Sequence, residues 1–219
     1  MIATSDIVSK VRRLLNEAES DEQLTLLSED TRSMDDHIIA LLPQAVALTQ
    51  RNKGSGAGCV NARHVDPDLA CLSAGSDGCA VIALPRDFYA VVSVQLSGWR
   101  QPCTEFVQPG STVAIAQSNE HTRTGACRPV AVECMAADGS RVAKLYPLPG
   151  SCVPQLDHFV YEAEFNAADG LDGCSRQLAD AVAYNCAALL YNVFERPDAA
   201  NMFLSLALAL CNGNNMERK

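Results

Sequence analysis

Ten cysteines and four histidines are the side chains in this sequence best able to act as nucleophiles, bases or metal ligands. The cysteines stand at 59, 71, 79, 103, 127, 134, 152, 174, 186 and 211, and the histidines at 37, 64, 121 and 158. Spacing decides what such residues can do. Zinc ligands usually come in close sequence pairs, because one turn must bring two of them onto the same ion. The chain has no C-x-x-C pair and no close Cys/His cluster of that spacing, so a metal would have to be assembled from distant parts of it. A nucleophile needs a base within hydrogen-bond reach and a donor for the developing oxyanion. The sharpest enzyme reading pairs Cys59 with His64 inside a glycine-rich stretch. No G-x-S-x-G elbow or H-E-x-x-H helix accompanies it.

The other reactive side chains have plainer readings. His37, beside Asp36, reads as a helix-surface residue, and His158, in Leu156-Asp157-His158-Phe159, as a strand-edge residue. The stretch Gly54-Ser55-Gly56-Ala57-Gly58 lacks the G-K-[S/T] of a phosphate loop. Glu19, Asp21, Glu22, Glu29 and Asp30 lack calcium-loop spacing and read as a solvated face. The sequence therefore predicts no catalytic, cofactor-binding or metal-binding residue, and no cofactor. Met1-Ile2-Ala3-Thr4-Ser5-Asp6 lacks the basic start and apolar run of a signal peptide, so the thiols are expected to stay reduced and to pack as small hydrophobes.

The composition narrows the partners. With 219 residues, 48% of them hydrophobic and 20% charged, the chain falls in the globular class and is long enough for one good core, or one core plus a small module. A formal charge of −9 argues against gripping nucleic-acid phosphates by counterion release. It is compatible with lining a path along which DNA slides. The longest apolar stretch, Ala199 to Cys211, is interrupted by Asn201 and Ser205 and is too short to span a bilayer, so no membrane partner is expected.

The elements follow from periodicity. Ile7, Val8, Val11, Leu14 and Leu15 make an apolar stripe after the helix start Thr4-Ser5-Asp6. Leu24, Leu26 and Leu27 suggest a short helical turn. A second helix is expected after Ser33-Met34-Asp35-Asp36, with a kink or break near Leu42 because Pro43 follows. Residues 51–78 show no period and read as a flexible loop. From Cys79 the period shifts towards two. Strands are expected over Cys79 to Leu84, Phe88 to Leu96, Thr104 to Val107, Arg128 to Met135, Arg141 to Tyr146 and His158 to Phe165. Asp138-Gly139 marks a hairpin between two of them, and Ser118 to Ala126 reads as an exposed loop.

Two strongly apolar helical patterns end the chain. The first runs from Leu178 to Phe194 and is rich in alanine; the second starts at Pro197 and stops at Cys211-Asn212-Gly213-Asn214. The expected fold is α+β: a helical bundle from the N- and C-terminal helices, residues 1–50 and 171–213, with an inserted, mainly antiparallel β module at 79–170, the loop at 51–78 and a tail at 214–219.

Three stretches in this order resemble the head–tail connector (adaptor, or ring) proteins of tailed bacteriophages. The first is Asp6 to Leu15 followed by Asp35 to Leu48. The second is Leu84-Pro85-Arg86-Asp87-Phe88 leading to Trp99. The third is Arg128-Pro129-Val130, Asp138-Gly139, Lys144-Leu145-Tyr146-Pro147 and then Leu178 to Tyr184. The many cysteines, Pro43 and the long glycine-rich stretch depart from that pattern. The resemblance implies a non-enzymatic virion protein, assembled in the host cytoplasm. It would form a homo-oligomeric ring of twelve subunits that binds the portal protein and tail proteins and lets DNA pass through its lumen without specific binding. Two other classes stay open on the residues alone: a Cys-dependent hydrolase or transferase, and a cellular binding module with no viral role.

Overall fold

A computed structural model describes residues 1–18, 34–54, 57–67, 70–75, 77–150 and 153–212. The fold is mixed α+β, with helices α1 (Thr4–Ala18), α2 (Met34–Asn52), α3 (Thr112–Gln117), α4 (Arg176–Val193) and α5 (Pro197–Asn212). The strands are β1 (Ala62–Val65), β2 (Leu72–Ala74), β3 (Ala80–Ala83), β4 (Phe88–Leu96), β5 (Phe106–Val107), β6 (Val130–Met135), β7 (Arg141–Tyr146) and β8 (Leu156–Ala163). The chain divides into two compact units, Met1–Ala62 with Glu164–Lys219, and Arg63–Ala163.

In the first unit the helices from both chain ends share one apolar core. Its centre is α4, which packs on α5, α2 and α1. Alanine makes this possible: Ala181, Ala183, Ala187 and Ala188 are fully buried, and short side chains on several sides of one helix let three neighbours approach closely. Ser175 caps α4, its hydroxyl accepting from the Leu178 N–H at 3.2 Å. Ile38, Leu42, Ala45 and Val46 of α2 and Ile7, Val11 and Leu15 of α1 complete the core. Among its buried side chains is a polar contact, with Asn185 Nδ2 donating to Thr49 Oγ1 at 2.9 Å while Thr49 donates to the Ala45 carbonyl.

α2 does not break at Pro43. The helix runs continuously through it, with the proline ring exposed. A proline inside a helix costs about 3 kcal/mol. Burial of Ile38 and Leu42 before it and of Ala45 and Val46 after it holds both halves on the same core, and that packing outweighs the lost hydrogen bond.

The second unit holds two sheets. One is three-stranded, ordered β1-β8-β4; the other is five-stranded, ordered β2-β3-β7-β6-β5. One apolar cluster draws Phe88, Val94, Leu96 and Phe159 from the first and Ala80, Ile82, Ala131 and Leu145 from the second. Phe88 lies 5.6 Å from Phe106 and 5.8 Å from Tyr161, centroid to centroid. Trp99 donates its indole N–H to the Pro147 carbonyl at 2.8 Å. The Asp138-Gly139 turn joins β6 to β7 as expected, with Gly139 at φ 83° and the Asp138 carboxylate accepting from both N–H and O–H of Ser140. Those two bonds hold the Asp138 carboxyl below its ordinary range.

The flexible-loop expectation for 51–78 meets a different arrangement. α2 extends to Asn52, and β1 and β2 both lie within the stretch, β1 beside β8 and β2 antiparallel to β3. Strands of four and three residues, with no side chain fully buried, carry no alternation to read; the hydrogen bonds of β8 and β3 define them. The helix α3, capped by Ser111, likewise stood outside the sequence expectation. The suggested turn at Leu24, Leu26 and Leu27, the acidic residues 19–30 and the tail at 214–219 lie outside the described residues.

Candidate interaction surfaces

The residues singled out for chemistry are dispersed. Cys59 is half-buried ahead of β1, in the helical unit, and His64 is exposed on β1. His37 is on the exposed side of α2 and His121 in the exposed turn after α3. His158 has a partner the sequence did not suggest: its Nε2 lies 2.7 Å from Ser93 Oγ on the neighbouring strand β4. Ser93 and Gln95 share a face of β4, and Gln95 stands opposite His158, so the contact is a diagonal cross-strand pair. Among the described residues no group of three or more His, Cys, Asp or Glu side chains could hold a metal.

Several buried thiols behave as small apolar groups. Burial pushes Cys186 up to about 12, and it raises Cys211 as well. Burial also raises Cys79 and outweighs the hydrogen bond that Cys79 makes with Tyr146. A reactive cysteine needs the opposite, a thiolate favoured by nearby positive charge. Tyr161 is pushed up to about 12, first by burial and then by its bond to Asp87 Oδ1 at 3.0 Å; Arg63 pairs with the other oxygen of that carboxylate at 3.0 Å. These groups lock neighbouring strands together.

Compared with known proteins, the chain matches no family model and no curated sequence.

Exposed surface is more informative than the reactive side chains. In the β unit, β5 covers only the start of β6, its parallel partners being Ala131 and Val132. Beyond them Phe106, Pro109, Glu133, Cys134 and Met135 line a notch of about 310 Å³, and Met135 is 66% exposed. Behind this edge Arg141 pairs with Glu133 at 2.7 Å and stacks over Phe88 at 5.2 Å. On the far side of α3, the turn from Ser118 is pinned by Gln117, whose side-chain oxygen accepts from both the N–H and the O–H of Thr124. Arg123 donates back to the Gln117 carbonyl at 2.9 Å.

In the helical unit a groove of about 580 Å³ is lined by Asp6, Lys10, Arg13, Arg176 and Asp180, with Lys10 and Asp180 paired across it. Basic and acidic groups nearly balance there. α5 differs. It buries Ala200, Phe203, Ala207 and Cys211 and leaves Met202, Leu206 and Leu208 at 50%, 43% and 42% exposure. From Ala199 to Asn212 it has no charged residue. An exposed helix face normally carries charge, and this one carries none between those two residues. Among the described residues no helix is long and apolar enough to cross a membrane.

Proposed function

We propose that this chain is a non-enzymatic virion protein, a subunit of the ring that joins the portal of a tailed bacteriophage to its tail. The helices of the two chain ends form the annulus as a helical bundle, and the strand-built unit meets other proteins. The observation that carries this reading is the outward face of α5, apolar and, from Ala199 to Asn212, uncharged on a chain with a formal charge of −9. Such a face is built to be covered by protein. The order of elements, two helices, a strand-rich middle and two apolar helices, supports the connector assignment in particular.

Portal protein and tail proteins are the partners on the two sides of the ring, and twelve copies is the expected subunit number. Side-to-side contacts between unlike faces close into a ring when the rotation per subunit fits. The acidic balance suits passage of DNA through the lumen, since like charge keeps the duplex from sticking. Assembly takes place in the host cytoplasm and the finished protein resides in the virion.

Electron microscopy of the purified chain, alone and mixed with its portal protein, tests this. Rings, or a ring seated on the portal, are the expected result. A persistent monomer that binds no portal overturns it.

A further inference from the structure

We propose that the open edge of β6 at Glu133–Met135 binds an extended segment of another protein, which joins the five-stranded sheet as a further strand in line with β5. Only the strand-built unit takes part, so the site is independent of the ring reading.

The register leaves this edge bare. β6 pairs with β7 along its whole length, from Val130 to Met135, whereas on its other side β5 reaches only Ala131 and Val132. The chain then leaves the edge. Pro109 has no N–H to continue a ladder, and a turn closes around it with the Ser111 N–H donating to the Gln108 carbonyl at 3.2 Å. Successive residues of a strand direct their N–H and C=O groups to alternate sides. Glu133, Cys134 and Met135 therefore carry at least one outward N–H and one outward C=O. Among the described residues no segment other than β7 bonds to the backbone there.

The cavity beside this edge has the shape of a slot for a strand. Side chains of a strand alternate between the two faces of a sheet. Phe106, Glu133 and Met135 line the notch of about 310 Å³ from one face and Val107 and Cys134 from the other, so the cavity straddles the edge. A strand seated about 4.8 Å from β6 sets one side chain against Phe106 and Met135 and the next against Val107 and Cys134. Edges that stay unpaired are usually protected by lysine, proline or a bulge. β6 has none of these: its ladder with β7 is regular, and its one charged residue, Glu133, is paired with Arg141 of β7 at 2.7 Å.

The charge left at the open end is negative. Asp138, in the turn after Met135, is exposed, and among the described residues it bonds only to Ser140. On a chain of −9 this favours a segment of β-branched or aromatic residues that ends in a basic one. A second copy does not fit. Two β6 edges aligned antiparallel on Cys134 would place the β5 of each copy where the β6–β7 turn of the other lies.

Amide hydrogen exchange of the full-length chain tests this. The probe is a pooled hexapeptide library with lysine at both ends and valine, isoleucine, threonine or tyrosine between. The pool is expected to slow exchange roughly tenfold at the outward N–H groups of Glu133–Met135 and to leave α1 and α4 unchanged. The same pool N-methylated at alternate amides lacks half of the donors and should lose the effect. Met135→Lys puts on the edge the charge that protects others, and should weaken binding roughly tenfold with an unchanged melting temperature. No slowing by the pool overturns the proposal, as does equal slowing by the methylated pool or undiminished binding by Met135→Lys. Slowing at this edge that needs no peptide and grows with protein concentration assigns the edge to a second copy, and also overturns it. Each of these results leaves the ring reading, which microscopy tests, standing.

Discussion

Asn185 on α4 donates to the hydroxyl of Thr49 on α2 at 2.9 Å, with both side chains about 1% exposed or less. The Thr49 O–H in turn donates to the Ala45 carbonyl, so the hydroxyl is both donor and acceptor. In an interior of alanine and leucine this bond fixes how α2 and α4 sit along each other. Thr49→Val keeps the shape and strands the Asn185 N–H. The expected loss is about 1–3 kcal/mol by urea unfolding. Thr49→Val combined with Asn185→Leu should recover part of it, because both ends of the bond are then gone. Strictly additive losses would mean that the two residues do not act together.

At the end of α4 the Arg196 N–H reaches back to the Tyr191 carbonyl at 2.9 Å and Glu195 N–H to Asn192 at 3.2 Å, with Glu195 at φ 56°. This is the helix stop that glycine usually makes. A side chain at such a φ costs about 1 kcal/mol. Glu195→Gly is expected to raise the melting temperature by a few degrees, and calorimetry checks it.

Tyr191 stacks on Phe203 at 5.4 Å, and among the described residues its buried hydroxyl has no hydrogen-bond partner. Tyr191→Phe removes only that oxygen. The expected gain is about 1 kcal/mol by chemical unfolding; a loss would mean that the hydroxyl is bonded in solution.

Cys186 gives an alkaline signature. Its folded pKa, about 12, lies above the ordinary value of 9.0, so the folded chain holds this proton more tightly than the unfolded chain does. The associated stability is intact below pH 9.0 and is lost as pH rises from there towards about 12. At pH 10 the loss is about 1 kcal/mol. Under reducing conditions Cys186→Ala should therefore show a shallower fall of stability between pH 8 and pH 10 than the wild type. Parallel curves would show that this thiol titrates like an exposed one.

The proposed free passage of DNA predicts weak binding. Fluorescence anisotropy with duplex DNA near physiological salt should give a dissociation constant no tighter than about 100 μM, the weak end of ordinary non-specific binding. Micromolar binding would remove the sliding argument.

The long elements were legible because their signals are local. β4 from Phe88 to Leu96 and β7 from Arg141 to Tyr146 have the expected bounds, and Pro197 separates α4 from α5 as a proline at a helix start should. β1, β2 and the continuity of α2 through Pro43 depend on what packs against them, and a one-dimensional pattern does not carry that. The Ser93–His158 contact was hidden for the same reason, since the strand register that joins residues 65 positions apart is a property of the fold. The outward face of α5 was half visible: its apolar character is written in the sequence, but which side stays uncovered appears only once Phe203 and Ala207 are seen turned inwards.

The bridge between Ile2 and Leu171, and the core that α1 and α2 share with α4, set an order on biosynthesis. The ribosome releases α1 and α2 long before the residues they pack on. The strand-built unit, continuous from Arg63 to Ala163, is complete in the interval. The first two helices wait, with an apolar flank open, until α4 emerges. A chain interrupted in translation before that point lacks both the partner for its opening helices and α5, so truncated products are barred from any assembly that needs both.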